Sequence, residues 1–262
     1  MNASPETSPL RGLRLLIPRA PERADPLRRK IEALGGEARC VPALDIVPIA
    51  TADDVRRRHR EAGAADVAIF TSVNAVDRWF ALGDSPPALP EQVFGVGAAT
   101  VAALAGHGVR AVAPARHDSE GLIAEPAIRH AATVLLLTGE GGRQTLRDAL
   151  GRSGRLIDIP LYRRRAHPGL RQALTAVVDW ANAVVASSAQ TYSALVDADP
   201  LIGATLLRYP VVAPSERVIK HIRTLGSNAP AWLAAPFGDA AVLNALRAHW
   251  VPQPNQRARD DD

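Results

Sequence analysis

The chain has 262 residues, of which 47% are hydrophobic and 22% charged. That composition excludes a disordered protein and leaves room for about two domains at roughly 150 residues each. The 31 basic and 27 acidic residues give a net charge of +4, and aromatics make up only 4%, too few to supply stacking platforms for nucleic acid. Only Lys30 and Lys220 are lysines, so 29 of the basic residues are arginine. The run Arg56-Arg57-Arg58-His59-Arg60 follows Asp53-Asp54 in a helix-like stretch and reads as a solvated face. The single cysteine, Cys40, excludes an intramolecular disulfide framework and a cysteine-built zinc site. No run approaches the roughly 18 apolar residues of a membrane span. Met1–Pro9 has no apolar leader, and a cytoplasmic monomer without membrane or nucleic-acid partners is expected.

Taken in chain order, short apolar runs alternate with helical patterns. Leu13–Pro18 reads as a strand, followed by a helix through Leu34 that Gly35-Gly36 ends. Asp66–Thr71 is a strand, and Ser72 is placed to cap a helix over Val73–Leu82. Gln92–Val96 is a strand, Gly97 a turn and Ala98–Ala105 a helix. Val109–Ala113 reads as another strand, and Ser119 starts a helix through about His130. Thr133–Thr138 is a strand, Gly139–Gly142 a loop and Arg143–Leu150 a helix. Further strands follow at Ala183–Ala186, Pro210–Ala213 and Ala231–Ala234. Such alternation specifies an α/β fold with parallel sheets covered on both faces.

The chain also repeats itself. Asp66–Ser72 matches Asn182–Ser188, Val96–Val101 matches Ala213–Val218, Leu15–Pro18 matches Leu135–Thr138, and Val41–Leu44 matches Ile159–Tyr162. Four pairs at similar spacing predict two domains of one design. Extended, proline-containing segments at Arg39–Ile49 and Leu156–Arg165 read as a two-stranded connector where the chain crosses twice. One α/β domain then takes residues 10–40 plus 166–252, and the other takes 46–158. Residues 1–9 and 253–262 are left as disordered tails. Two contiguous domains split near residue 125 remain the alternative.

Several short motifs in this order resemble those of the uroporphyrinogen-III synthase family, over about Leu13–Leu246. They are Pro18-Arg19, Ile69–Val76, Gly97-Ala98-Ala99-Thr100, Asp118–Leu122, Leu137–Arg143, Leu161–Arg164 and Ser187-Ser188. The resemblance implies two flavodoxin-like parallel-sheet domains joined by a two-stranded connector. It also implies a reaction that needs no metal or organic cofactor. Hydroxymethylbilane, a linear tetrapyrrole with eight carboxylates, is cyclised to uroporphyrinogen III with inversion of ring D and loss of water. Where many members carry a Gly-Pro-x-Thr turn, this chain has Pro214-Ser215-Glu216-Arg217, and the Arg217 guanidinium can itself reach a carboxylate.

Ligands of open parallel sheets sit beyond the carboxyl ends of the strands, where helix N-termini aim N–H groups outward. Thr71, Ser72 and Asn74, Gly97 and Thr100, Ser119 and Gly121, Gly141 and Gly142, Ser187 and Ser188, and Ser215 all fall there. Hydroxyls and amides ringing a cleft between two domains would bind many carboxylates without crowding permanent charges. Arg19 and Arg143, at loop-to-helix positions, are the better carboxylate forks. Ser72 and Ser188 are equally readable as simple caps, and Gly139–Arg143 as a plain turn lacking the lysine of a phosphate loop. The seven histidines show no metal-binding spacing. Tyr162 replaces Leu44 of the repeat. It is either a packing aromatic or a catalytic phenol that helps the hydroxyl of the bilane to leave. A non-enzymatic two-lobed binding protein for a polycarboxylate is the competing function.

Overall fold

The apolar runs fold as strands buried on both faces. The computed structural model describes residues 8–62, 65–83, 88–116, 118–142 and 144–252. It opens with β1 (Arg14–Ile17), α1 (Pro21–Ala33) and β2 (Glu37–Cys40). Proline at the first turn of α1 and Lys30 in its last suit the helix ends, and Ala24, Leu27 and Ile31 form its buried stripe. Next come β3 (Leu44–Pro48) and α2 (Ala52–Ala62). The Thr51 hydroxyl accepts from the Asp54 N–H at 3.1 Å, a side-chain cap ahead of α2. Then follow β4 (Val67–Phe70), α3 (Val73–Phe80), β5 (Gln92–Gly95), α4 (Ala98–Gly106), α5 (Ser119–Ala124) and α6 (Pro126–Arg129). The third quarter holds β6 (Thr133–Gly139), α7 (Gln144–Ser153), β7 (Arg155–Ala166) and α8 (Leu170–Thr175). The chain continues through β8 (Ala183–Val185), α9 (Ala189–Asp197), α10 (Pro200–Leu206) and β9 (Val211–Ala213). It closes with α11 (Glu216–Thr224), β10 (Ala231–Leu233) and α12 (Asp239–His249).

These elements separate into two compact units, residues 1–45 with 166–262, and residues 46–165. The sheet of the first unit has the order β2-β1-β8-β9-β10, all neighbours parallel. The sheet of the second has the order β5-β4-β6-β7-β3, parallel except at its β3 edge. There the Ala43 carbonyl meets the His167 N–H and the Ile49 N–H meets the Leu161 carbonyl. As one strand advances its partner retreats, so β3 is antiparallel to β7. Both chain passages between units lie in these strands, at Asp45/Ile46 and Arg165/Ala166.

Alternation along each strand divides each unit into two cores. Leu15 and Ile17 pack with Leu27, Ile31, Val242 and Leu246, while Leu16 faces Leu174, Leu195, Leu206 and Ile222. In the other sheet Ala68 and Phe70 face Trp79 and Leu104, while Val67 and Ile69 face Leu122, Leu146 and Leu150. Each sheet is therefore sandwiched between helices. No helix among the described residues is long and apolar enough to cross a membrane.

Several expectations need correction. Val109–Ala113 is not a strand: only Val112 bridges to Phe94. Gly108 and Pro114 close the segment on both sides, and alanines on either side of Val112 give a pleated surface little to pack. The helix expected from Ser119 to His130 is two helices, because Pro126 pushes Glu125 into an extended conformation (φ −65°, ψ 125°). The expected extended segment 39–49 is broken between β2 and β3, around Pro42. Ser8, expected in a tail, already accepts from the Arg11 N–H at 3.1 Å.

Tyr192 of α9 is fully buried and donates to the Leu206 carbonyl at 3.3 Å. Burial pushes its pKa up to about 12, against about 10 for an unfolded tyrosine. A phenol whose folded pKa is raised contributes its stability in full below the unfolded value, and loses it as pH rises through the folded one. Stability should therefore fall between about pH 10 and pH 12. Tyr192→Phe should flatten that fall in a denaturant titration repeated across alkaline pH. An unchanged slope would remove Tyr192 as its source.

Candidate functional site

In the second unit the loops after β4, β5, β6 and β7 share the carboxyl edge of the sheet. Ser72 is extended (φ −170°) and caps α3, its Oγ accepting from the Ala75 N–H at 3.2 Å. The same Oγ lies 2.9 Å from the Tyr162 hydroxyl, and Arg164 Nη2 donates to that hydroxyl at 2.9 Å. The Arg164 guanidinium carbon stands 5.2 Å from the ring centroid. Thr71 spends its hydroxyl on the Leu137 carbonyl at 3.3 Å.

The ring of Tyr162 reaches this edge because residue 139 carries no side chain. Gly139 is the register partner of Tyr162, just past a bulge at Thr138/Gly139. A Cβ on Gly139 would lie 2.6 Å from the ring Cζ and 2.9 Å from the hydroxyl. The Tyr162 carbonyl accepts from the Glu140 N–H at 2.7 Å, and the Gly142 N–H bonds the Gly139 carbonyl at 3.2 Å. Arg147 holds the glycine loop to the sheet. Its guanidinium donates to the Gly142 carbonyl at 2.6 Å, to Thr138 Oγ1 at 3.3 Å and to Asp158 at 2.5 Å.

Tyr162 is only 1% exposed and belongs to the core with Phe70 and Trp79, while Ser72, bonded to its hydroxyl, is half-buried. Asn74 and Gly97 are half-buried at the first turns of α3 and α4, Gly142 is half-buried, and Gly141 (φ 72°) is exposed. Thr100, Ser119 and Gly121 are not on the surface. Thr100 and Ser119 are 3% and 6% exposed. Ser119 opens α5 as expected, and Asp118 before it is the cap, accepting from the Gly121 N–H at 2.8 Å. A Cβ on Gly121 would strike the Arg116 carbonyl at 2.0 Å, so a close backbone approach accounts for this glycine. Arg143 lies outside the described residues.

The first unit repeats the pattern without a tyrosine. Ser188 caps α9, accepting from the Thr191 N–H at 3.1 Å, and its Oγ lies 2.8 Å from Thr191 Oγ1, which also accepts from Ser187. Ser215 caps α11, and Arg217 in the first turn of that helix is exposed. Arg19 does not stand open: it pairs with Asp239 at 3.1 Å and lies over the Phe237 ring at 5.4 Å.

Sequence reasoning missed Arg164, Arg147 and Thr191. Arg164 was legible, since strand alternation puts residues 162 and 164 on one face. Arg147 meets Asp158 only through the fold. Among the described residues no three His, Cys, Asp or Glu side chains gather as a metal site.

The fold is similar to that of two solved uroporphyrinogen III synthases. One, from Thermus thermophilus, is 18% identical, with 90% of this chain and 98% of that one covered and a TM-score of 0.63. The other, from Helicobacter pylori, is 13% identical, with 88% and 97% covered and a TM-score of 0.58. At such identities the likeness concerns the fold. The sequence itself matches the family model described as uroporphyrinogen-III synthase HemD across residues 25–231. A match of that length, over a chain with this pair of sheets, makes the protein a member of the uroporphyrinogen-III synthase family, enzymes of tetrapyrrole biosynthesis.

Proposed function

We propose that this chain is a carbon–oxygen lyase that cyclises hydroxymethylbilane to uroporphyrinogen III, inverting ring D and releasing water. The family match over residues 25–231 carries the reading. In the release of water the C–O bond of the hydroxymethyl group breaks with its electron pair on oxygen, and a proton completes the water. Charge develops on that oxygen, so a directed donor beside it lowers the barrier. We assign the leaving-group end to the edge where Tyr162 and Ser72 meet, because the buried phenol and the half-buried Ser72 hydroxyl are held there as a hydrogen-bonded pair.

The carboxylates of the bilane fall to side-chain donors and helix N-termini at the strand ends of both units: Asn74 and Gly97 in one, Ser187, Ser188 and Ser215 in the other. Ser72 serves the leaving oxygen, and Thr71, tied to the Leu137 carbonyl, shapes the edge beside it. Gly141 and Gly142 offer loop amides, and Arg217 and Arg19 offer guanidinium groups, Arg19 by exchanging Asp239 for a substrate carboxylate. Arg143 joins them by its place in the sequence. Thr100, Ser119 and Gly121 act from beneath, by shaping the backbone. Each unit is read as a flavodoxin-like domain: β2-β1-β8-β9-β10 follows the order 2-1-3-4-5, and β5-β4-β6-β7 follows 2-1-3-4 with β3 added antiparallel at the edge, β3 and β7 being the two-stranded connector. The enzyme works as a cytoplasmic monomer, without a metal or organic cofactor.

The test is to supply freshly prepared hydroxymethylbilane and separate the oxidised products by chromatography. The type III isomer is expected well above the type I isomer that forms without an enzyme. Recovery of bilane bound and unchanged would favour the binding-protein alternative.

A further inference from the structure

Burial of Tyr162 favours one direction for the hydrogen bonds around its hydroxyl. A guanidinium has donors only, so the 2.9 Å contact from Arg164 makes the Tyr162 oxygen an acceptor. Geometry alone lets either oxygen of the 2.9 Å Tyr162–Ser72 contact donate, but the phenol is 1% exposed and a buried proton needs an acceptor, so the phenolic proton is assigned to Ser72 Oγ. Ser72 Oγ already accepts from the Ala75 N–H, so both its lone pairs are engaged. Its own proton meets no acceptor among the described residues and is left for a group outside the protein. Thr71 differs, since its proton is held by the Leu137 carbonyl.

We propose that Arg164 is a positioning residue that sets the direction of the Arg164–Tyr162–Ser72 chain, so that Ser72 donates outward to the oxygen leaving the substrate. The proposal rests on the lyase reading above. It replaces the buried phenol as immediate donor with the serine hydroxyl, and gives Arg164 a task other than meeting substrate charge. Arg163 offers the contrast: one residue away and on the opposite strand face, it reaches Glu140 at 3.4 Å and does not touch the chain.

The experiment compares Arg164→Leu, Arg164→Lys and Arg163→Leu in the full-length protein and in its Tyr162→Phe variant, with folding checked by circular dichroism. Arg164→Leu should lower kcat about three- to tenfold, the scale of one hydrogen bond's net worth, with KM nearly unchanged. Lysine, also a pure donor, should restore most of the loss. In the Tyr162→Phe variant Arg164→Leu should add nothing, because the link is already cut. An equal loss in that variant, or a loss confined to KM, would overturn the proposal by showing that Arg164 only meets the substrate's charge. A second readout needs no activity. With 13Cζ-labelled tyrosine, the resonance that disappears in Tyr162→Phe should shift in Arg164→Leu and stay in place in Arg163→Leu. A stationary resonance in Arg164→Leu would equally overturn it. If the wild-type protein fails to close the ring, the lyase reading falls while the resonance still decides the hydrogen-bond chain.

Discussion

Gly139→Ala should destabilise the second unit by about 1–3 kcal/mol, the usual cost of forcing a methyl group into a packed core, and should remove most of the activity. The added carbon would sit 2.6–2.9 Å from three atoms of the Tyr162 ring end. That ring is held from several sides: it belongs to the core with Phe70, Trp79 and Leu161, and its hydroxyl is bonded by Ser72 and Arg164. With the ring packed in the core and its hydroxyl bonded twice, relief of the clash requires that β6 and β7 part or that the hydroxyl leave Ser72. A double variant separates the two costs. Gly139→Ala with Tyr162→Leu removes the clashing atoms, so the unfolding midpoint should recover while activity does not. Wild-type stability and turnover in Gly139→Ala alone would show that the ring and the glycine are not in contact.

Tyr162→Phe should lower kcat by about 10- to 100-fold with KM nearly constant, as for an interaction made chiefly in the transition state. That is at or below the range for losing a direct donor to a developing oxyanion, because the phenol acts one hydrogen bond away. The ring stays, so packing survives and stability should fall by only about 1 kcal/mol. The residual product should remain the type III isomer, since the groups that hold the carboxylates are untouched. Chromatographic turnover assays read both quantities. Full activity in a folded Tyr162→Phe variant would make Tyr162 a packing residue.

The parts of this architecture visible in the sequence are those that burial on two faces dictates. Val67–Phe70 of β4, Val134–Leu137 of β6 and Ala183–Val185 of β8 are apolar throughout because helices cover both sides. Three matched pairs of the repeat also occupy matching places. β4, β5 and β6 stand in one sheet as β8, β9 and β1 stand in the other.

Features that depend on single backbone groups were not visible. Ser119 was legible as the start of α5, but the bond from Asp118 to the Gly121 N–H that caps it was not, since either polar residue has capping propensity. Asp199 caps α10 with Pro200 at its first turn, a signal present in the sequence yet overshadowed by the longer helix before it. For the site, the hydroxyls were legible as residue types at strand ends. What they bond was not: the Thr71 proton is taken by Leu137, a residue 66 positions away.

The strand order also bears on how the molecule is made. β1 lies between β2 and β8 in its sheet, and its central leucine, Leu16, pairs with Arg39 on one side and Val184 on the other. All of residues 46–165, a complete second unit, are synthesised between those two partners. At about 5–20 residues per second, some tens of seconds at the slower rate separate the arrival of β2 from that of β8. During that interval the ribosome carries a βαβ fragment with Leu15, Leu16 and Ile17 bonded along one edge only, while the later-made unit already has all its strands. The nascent chain thus completes its middle before its beginning, and the apolar strand synthesised first is the one that waits longest for its neighbour.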